Sequence, residues 1–149
     1  KRMPDVLIAE DDPAALHLTL KALSIVNSRI RPHIARNGAE ALAFLRRQAP
    51  YTGAPKPDLI VLDWNLPKVH GREVPAVARS TEAFRDIPIV VVTTSDAEKD
   101  REEAAHLGVN QYVVKAPHFR DFVESVRDFT QRFIGTAISD IQGDRNERQ

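Results

Sequence analysis

Residues 58–63 read DLIVLD and residues 87–93 read IPIVVVT, two short runs rich in β-branched side chains. A strand that is apolar at successive positions has no face left for water, so both belong in the middle of a sheet covered on each side, the habit of parallel sheets. Working outward, Asp5–Ala9 and Gln111–Val114 read as further strands, and residues 30–36 as one that contains Pro32. Proline cannot donate to a ladder, which places that strand at an edge. Helix-period segments fill the gaps. Asp12 followed by Pro13 is an N-cap with proline at the first helical position, and Leu16, Leu20 and Leu23 continue it at helical spacing. Asn37-Gly38 makes a turn before Ala41, Leu42 and Leu45, and Gly71 to about Ser80 is a weaker helix with Pro75 near its first turn. Ser95 and Glu98 predict a capping box for a helix to Leu107, closed by Gly108, and the last helix starts near Phe119. Residues 50–57 hold three prolines and a glycine and read as an extended loop. Five strands alternating with five helices define an α/β fold, a doubly wound parallel sheet with helices on both faces.

The 149 residues, 42% hydrophobic and 28% charged, suffice for one domain with a real core. Twenty-one basic residues balance twenty-one acidic ones, so no long-range positive field recruits nucleic acid or an anionic membrane. The absence of Cys removes thiol catalysis, disulfides and Cys-ligated metal, and fits a reducing, cytoplasmic setting. Apolar runs such as Leu59–Leu62 and Ile89–Val92 fall far short of the roughly 20 residues of a membrane helix. The basic start meets Glu10, Asp11 and Asp12 where a signal peptide needs apolar residues. A first residue other than Met is expected of a segment of a longer gene product.

In a doubly wound sheet, ligands gather at the carboxyl ends of the strands. Glu10, Asp11 and Asp12 follow the first strand, Asp63 ends the third, Thr93 ends the fourth and Lys115 follows the fifth. At about 4 Å and an effective dielectric near 20, two ionised carboxylates repel by roughly 4 kcal/mol, so three in one pocket demand a cation. Oxygen-only ligation favours a hard ion that keeps several waters, Mg²⁺ first, with Mn²⁺ or Ca²⁺ as alternatives. Lys115 adds a second positive charge, and the set describes a socket for a dianionic phosphoryl group, with Asp63 as nucleophile or Thr93 as its hydrogen-bond donor.

The strings LIAEDDP, LIVLDWNLPKVHG, VVVTTSD and YVVKAP resemble, in order and spacing, the receiver domain of bacterial two-component response regulators. The resemblance spans residues 5–134 and leaves 135–149 as a C-terminal extension. It implies a flavodoxin-like five-stranded sheet of order 2-1-3-4-5. It further implies that Asp63 is the phosphoacceptor, that Asp11, the Asp63 carboxylate and the Asn65 backbone carbonyl hold Mg²⁺, and that Glu10 reaches the metal through water. By the same resemblance Thr93 bonds a phosphoryl oxygen, Lys115 pairs with Asp63 or its phosphate, and Tyr112 is the aromatic that changes rotamer on activation. Within the family, the stretch from the proline-rich loop through PDLIVLDWNLPKVHGREV is similar to stand-alone regulators paired with cyanobacterial and bacterial phytochromes.

Two departures stand out. His70 occupies a position that is commonly acidic, and Ala116 replaces the proline that often follows the lysine, where the bond is commonly cis. A non-proline cis bond costs about 3 kcal/mol, so Lys115-Ala116 either stores strain or is trans with Lys115 slightly displaced. Duller readings apply elsewhere. Asp12 is most simply an N-cap; His17, His33, His70, His106 and His118 lack ligand spacing and read as solvated; Trp64 reads as a loop aromatic beside the pocket. On the last helix Phe119, Phe122, Val126, Phe129 and Phe133 form a stripe for the sheet. Val123, Ile134, Ala137, Ile138 and Ile141 lie off it or past it, which predicts a second apolar face and a homodimer, with a polar, frayed end from Gly143.

The expected function is therefore that of a stand-alone response regulator. It takes a phosphoryl group from a sensor histidine kinase, expected to be a bacteriophytochrome, catalyses only its own phosphorylation and dephosphorylation, and signals by protein contact. About 14 residues after the last helix are too few for a DNA-binding module. Two rivals are a phosphate-independent receiver-like module and a small aspartyl-phosphate phosphohydrolase. The second usually needs another Asp two residues after its nucleophile, where this chain has Asn65.

Overall fold

A computed structural model describes residues 3–66 and 71–147, with 136–147 as backbone alone. Its five parallel strands are β1 (Asp5–Ala9), β2 (Arg31–Ala35), β3 (Leu59–Leu62), β4 (Ile89–Thr93) and β5 (Gln111–Val114), in the order β2-β1-β3-β4-β5. The helices are α1 (Pro13–Val26), α2 (Gly38–Leu45), α3 (Glu73–Ser80), α4 (Glu98–His106) and α5 (Phe119–Glu147). Order and architecture are those the sequence predicts, and Pro32 lies on an edge strand.

Period-two alternation splits the sheet between two cores. Val6, Ile8, Leu59, Val61, Val90 and Val92 face the layer of α1 and α5, whereas Leu7, Ala9, Ile60, Leu62, Ile89 and Val91 face α2, α3 and α4. Each fully buried Val, Leu or Ile contributes about 1.5–3 kcal/mol relative to exposure. That burial fixes the register, and with it the rim where the strands end.

Local chemistry sets the starts and stops. Asp12 caps α1 by accepting from the N–H groups of Ala14 and Ala15, and Asn37 caps α2 by accepting from Glu40 N–H. Pro75 sits in the first turn of α3, where its missing N–H has no intrahelical partner to lose. Gly108 follows α4 at φ +86°, and a Cβ there would fall 2.7 Å from Arg79 Cγ. Arg79 needs that closeness, since it donates to the carbonyls of Gly108, Arg85 and Ile87 and to Asn110 Oδ1, joining α3 to the β4 and β5 approaches.

Four expectations change. The Ser95–Glu98 capping box does not form: α4 starts after Ala97, so Ser95 Oγ accepts from Ala97 N–H and donates 2.5 Å to Asp100 Oδ2. Val123 and Ile134, 7% and 5% exposed, belong to the core instead of a second apolar face. They do so because α5 packs on α1 as well as on the sheet, which widens its buried arc beyond one stripe. α5 kinks at Ile134 (φ −127°, ψ 18°), and its backbone stays helical to Glu147, through the expected frayed end, with no proline to stop it. His33 is only partly solvated: its Nε2 lies 2.9 Å from Oδ1 of buried Asp5, which also pairs with Arg31, and its ring packs on Phe44. His70 and the side chains of Ala137, Ile138 and Ile141 lie outside the described residues.

Candidate functional site

Because the strands are parallel, their carboxyl ends share one rim. Glu10 and Asp63 emerge there from β1 and β3 and stay buried, 4% and 6% exposed, while Asp11 is open to solvent. Asp63 is held through its backbone N–H, which donates to Ala9 O at 3.0 Å. One carboxylate oxygen from each of Glu10, Asp11 and Asp63 lies within 4.8 Å of the others. Burial, a hydrogen bond to Asp63 and the Asp63 charge push the Glu10 carboxyl up to about 7, against the pull of Lys115 and the Asp12 N–H. Glu10 therefore keeps its proton well above the ordinary carboxylate range.

Lys115 reaches into this cluster from the end of β5, yet its Nζ lies 3.4 Å from Glu10 Oε1, so its ion pair is with Glu10. The Lys115-Ala116 bond is trans, because among the described residues Ala49-Pro50 is the one cis bond. Asn65 donates its backbone N–H to Asp63 Oδ1 at 3.0 Å and its side-chain amide to Thr94 Oγ1 at 3.3 Å. Thr93 is buried at the end of β4; its hydroxyl accepts from Ser95 N–H and its carbonyl from Lys115 N–H at 2.7 Å. Tyr112 on β5 donates its hydroxyl to the Ser95 carbonyl at 2.9 Å, beneath the Arg101 guanidinium. Glu10, Asp11, Asp63, Lys115 and Asn65 thus gather in one cluster, Thr93 meets it through the Lys115 N–H, and Ser95 links Thr93 to Tyr112.

Oxygen donors without nitrogen or sulfur, two of them buried beside each other, fit a hard divalent cation. A cation would supply the positive charge that the proton on Glu10 otherwise supplies.

Two residues lie differently from the sequence reading or were missed by it. Trp64 is no peripheral loop aromatic: it is 2% exposed, within the core under α2 and α3. Arg72, just before α3, stacks its guanidinium 3.9 Å above the Trp64 ring, donates through Nη1 to the Trp64 carbonyl and bonds Glu103 Oε1 at 2.8 Å. A cation at a helix N-terminus opposes the helix dipole, and that anomaly is the signal that could have marked it.

A parallel five-stranded domain with an acidic cluster and one lysine at its carboxyl rim defines a class. The response regulator receiver domain family matches residues 6–127, and the chain belongs to it. It is 36% identical over 131 residues to the response regulator Rcp1 of Synechocystis, covering 88% of this chain and 89% of Rcp1. The Mn²⁺-bound form of Rcp1 superposes with a TM-score of 0.77 over 86% of this chain and 92% of Rcp1. The phosphorylated cyanobacterial phytochrome response regulator RcpA gives a TM-score of 0.83 at 34% identity, covering 91% of this chain and 96% of RcpA. The bacteriophytochrome response regulator RtBRR gives 0.73 at 39% identity, covering 85% and 78%. The chain is thus a receiver, a signalling class that partners with histidine kinases, and RcpA and RtBRR among its relatives are phytochrome response regulators. Among the described residues no helix is long and apolar enough to cross a membrane.

Proposed function

We propose that this chain is a phosphoacceptor regulator that takes a phosphoryl group from a phosphohistidine of a sensor kinase onto Asp63. One observation carries the reading: buried Asp63 sits within 4.8 Å of Glu10 and Asp11 carboxylate oxygens, with the Lys115 ammonium reaching the same cluster. In the transfer a carboxylate oxygen of Asp63 attacks phosphorus, the P–N bond to the kinase imidazole breaks, and the imidazole leaves with a proton. Asp11, Asp63 and the Asn65 carbonyl, with Glu10 through water, would hold Mg²⁺, or Mn²⁺ or Ca²⁺ in its place, which neutralises charge on the transferring group.

The chain's own groups do the rest. Burial and the Asn65 N–H hold the Asp63 carboxylate in one orientation. Lys115 exchanges Glu10 for the phosphoryl oxygens. Thr93 turns its hydroxyl from Ser95 N–H to a phosphoryl oxygen, which frees the loop whose carbonyl holds Tyr112. Tyr112 then follows, and the surface of β4, α4 and β5 changes. The enzymatic activity is confined to forming and hydrolysing its own acyl phosphate. The similarity to RcpA and RtBRR supports a bacteriophytochrome as the kinase, and the 89% span of Rcp1 supports a stand-alone regulator. We place its signalling by protein contact in the cytoplasm, away from DNA and membrane. Self-association through α5 and residues 135–149 makes the homodimer. Asn65, bonded to Thr94, supplies no second acid for a phosphohydrolase.

The test is phosphorylation by a small acyl phosphate with Mg²⁺, read by intact mass. One acid-stable, base-labile phosphoryl group on wild type and none on Asp63→Asn is the expected result. Modification that survives Asp63→Asn, or turnover of phosphoesters by that variant, overturns the reading.

A further inference from the structure

The peptide joining Trp64 to Asn65 is held at both ends. Its N–H donates to Asp63 Oδ1 at 3.0 Å, and its C=O accepts from Arg72 Nη1. Arg72 is itself fixed on every side: face-on to the Trp64 ring at 3.9 Å, Nε on Glu103 Oε1 at 2.8 Å, and Nη2 3.9 Å from Asp100 Oδ1. Asp100 in turn accepts from Ser95 Oγ at 2.5 Å, and Ser95 O accepts the Tyr112 hydroxyl at 2.9 Å.

We propose that Arg72 is a positioning residue for the phosphoacceptor, orienting and polarising the Trp64–Asn65 peptide that bonds Asp63 and tying that peptide to α4 and the Ser95 loop. The assignment rests on Asp63 being the phosphoacceptor. Three physical points carry it. A cation on a peptide carbonyl draws charge through the amide, which makes the N–H at the other end a stronger donor to a carboxylate or its phosphoryl derivative. Only a planar guanidinium stacks on an indole while donating in two directions from its edge, so a lysine at position 72 fills none of these places together. And one rigid fork that bonds the loop after β3 and the first two turns of α4 cannot follow a movement of one without loading the other. The Asp63 side of the molecule and the Tyr112 side are thereby linked by a route that does not pass through Thr93.

A purely structural staple would cover Trp64 and change stability alone. The distinguishing experiment uses the full chain with Mg²⁺, beryllofluoride as the phosphoryl mimic, calorimetry for its Kd, and the Asn65 amide proton shift by NMR, in wild type, Arg72→Ala, Arg72→Lys and Asp100→Asn. Loss of a charge-assisted hydrogen bond corresponds to about a tenfold rise in Kd for Arg72→Ala, with little rescue by Arg72→Lys. The Asn65 amide moves upfield in both before any ligand is added. Asp100→Asn raises Kd in wild type and adds nothing in Arg72→Ala, the non-additivity expected of one connected unit. A folded Arg72→Ala with Kd within about twofold of wild type and an unmoved Asn65 amide overturns the proposal. Should Arg72→Ala not fold, the same two readouts in Arg72→Lys and Asp100→Asn decide. Wild type that binds no beryllofluoride overturns the phosphoacceptor reading itself, whatever the variants do.

Discussion

Glu10 is a buried carboxyl against another carboxyl, and its effect on stability has a definite sign. Unfolded, it ionises near the ordinary 4.5; folded, burial and Asp63 push it up to about 7. Between those values the native state keeps a proton that the unfolded state has lost, so this group's contribution makes metal-free protein less stable as pH rises from 4.5 to 7, and level above. A raise from 4.5 to about 7 corresponds to about 3 kcal/mol at 1.36 kcal/mol per pH unit. Glu10→Gln removes the charge and keeps the shape. In EDTA the variant and wild type should match at pH 5, and the variant should be more stable by about 2–3 kcal/mol at pH 8. The assay is urea unfolding followed by emission of the single tryptophan, Trp64, whose burial makes it report folding. At pH 8, Mg²⁺ at ten times its Kd should return about 1.4 kcal/mol to wild type. Stability curves of wild type and Glu10→Gln that run parallel from pH 5 to pH 8 would refute the reasoning, because then Glu10 keeps an ordinary pKa and the carboxylates are not in contact.

Phe129→Ala, at a wholly buried position beneath the sheet, should lose about 3–5 kcal/mol in the same urea assay. Gly108→Ala forces a side chain into the left-handed region and against Arg79, and should lose about 2 kcal/mol with a fall in melting temperature by calorimetry. Tyr112→Phe leaves the Ser95 carbonyl without its hydroxyl donor and should lose about 1 kcal/mol, while NMR shows the β4–α4 loop in altered positions before phosphorylation. Truncation after Gly135, which keeps the core residue Ile134, should convert a dimer to a monomer in sedimentation; a full chain that sediments as a monomer removes the homodimer.

The fold was legible because each strand of the interior is apolar at successive positions, a pattern that excludes a solvent-facing sheet, and because Asp12-Pro13, Asn37 and Gly108 carry their structural roles in their own chemistry. The rim was legible for the same reason: once strands are parallel, Glu10, Asp63, Thr93 and Lys115 must converge. What was not legible depends on which of several neighbours a side chain selects. Ser95 could cap or pair, and the start of α4 after Ala97 decided for Asp100. Val123 and Ile134 could face a partner or the interior, and the packing of α1 on α5 decided for the interior. His33 gave no sign of Asp5, because their pairing depends on adjacent strands twenty-eight positions apart in sequence. Arg72 showed only a charge at a helix start.

Lys115 sits in a cluster that carries an excess of negative charge. Three ionised carboxylates and one ammonium leave the socket at net minus two, a state that burial of Glu10 and Asp63 disfavours. The proton on Glu10 brings it to minus one, and a divalent cation brings the fully ionised set to neutrality. Proton and cation are therefore alternative occupants of one electrostatic need. A bound cation would let Glu10 ionise without that penalty, and on the proposed function the Asp63 carboxylate beside it would act as the nucleophile. On the proposed function, conversion of the Asp63 carboxylate to an acyl phosphate dianion would add one negative charge, and the group placed to move toward it is Lys115, whose 3.4 Å contact with Glu10 is long for an ion pair. The raised Glu10 proton and the lysine drawn to the cluster thus answer one excess of negative charge, which a cation would relieve and a phosphoryl group would renew.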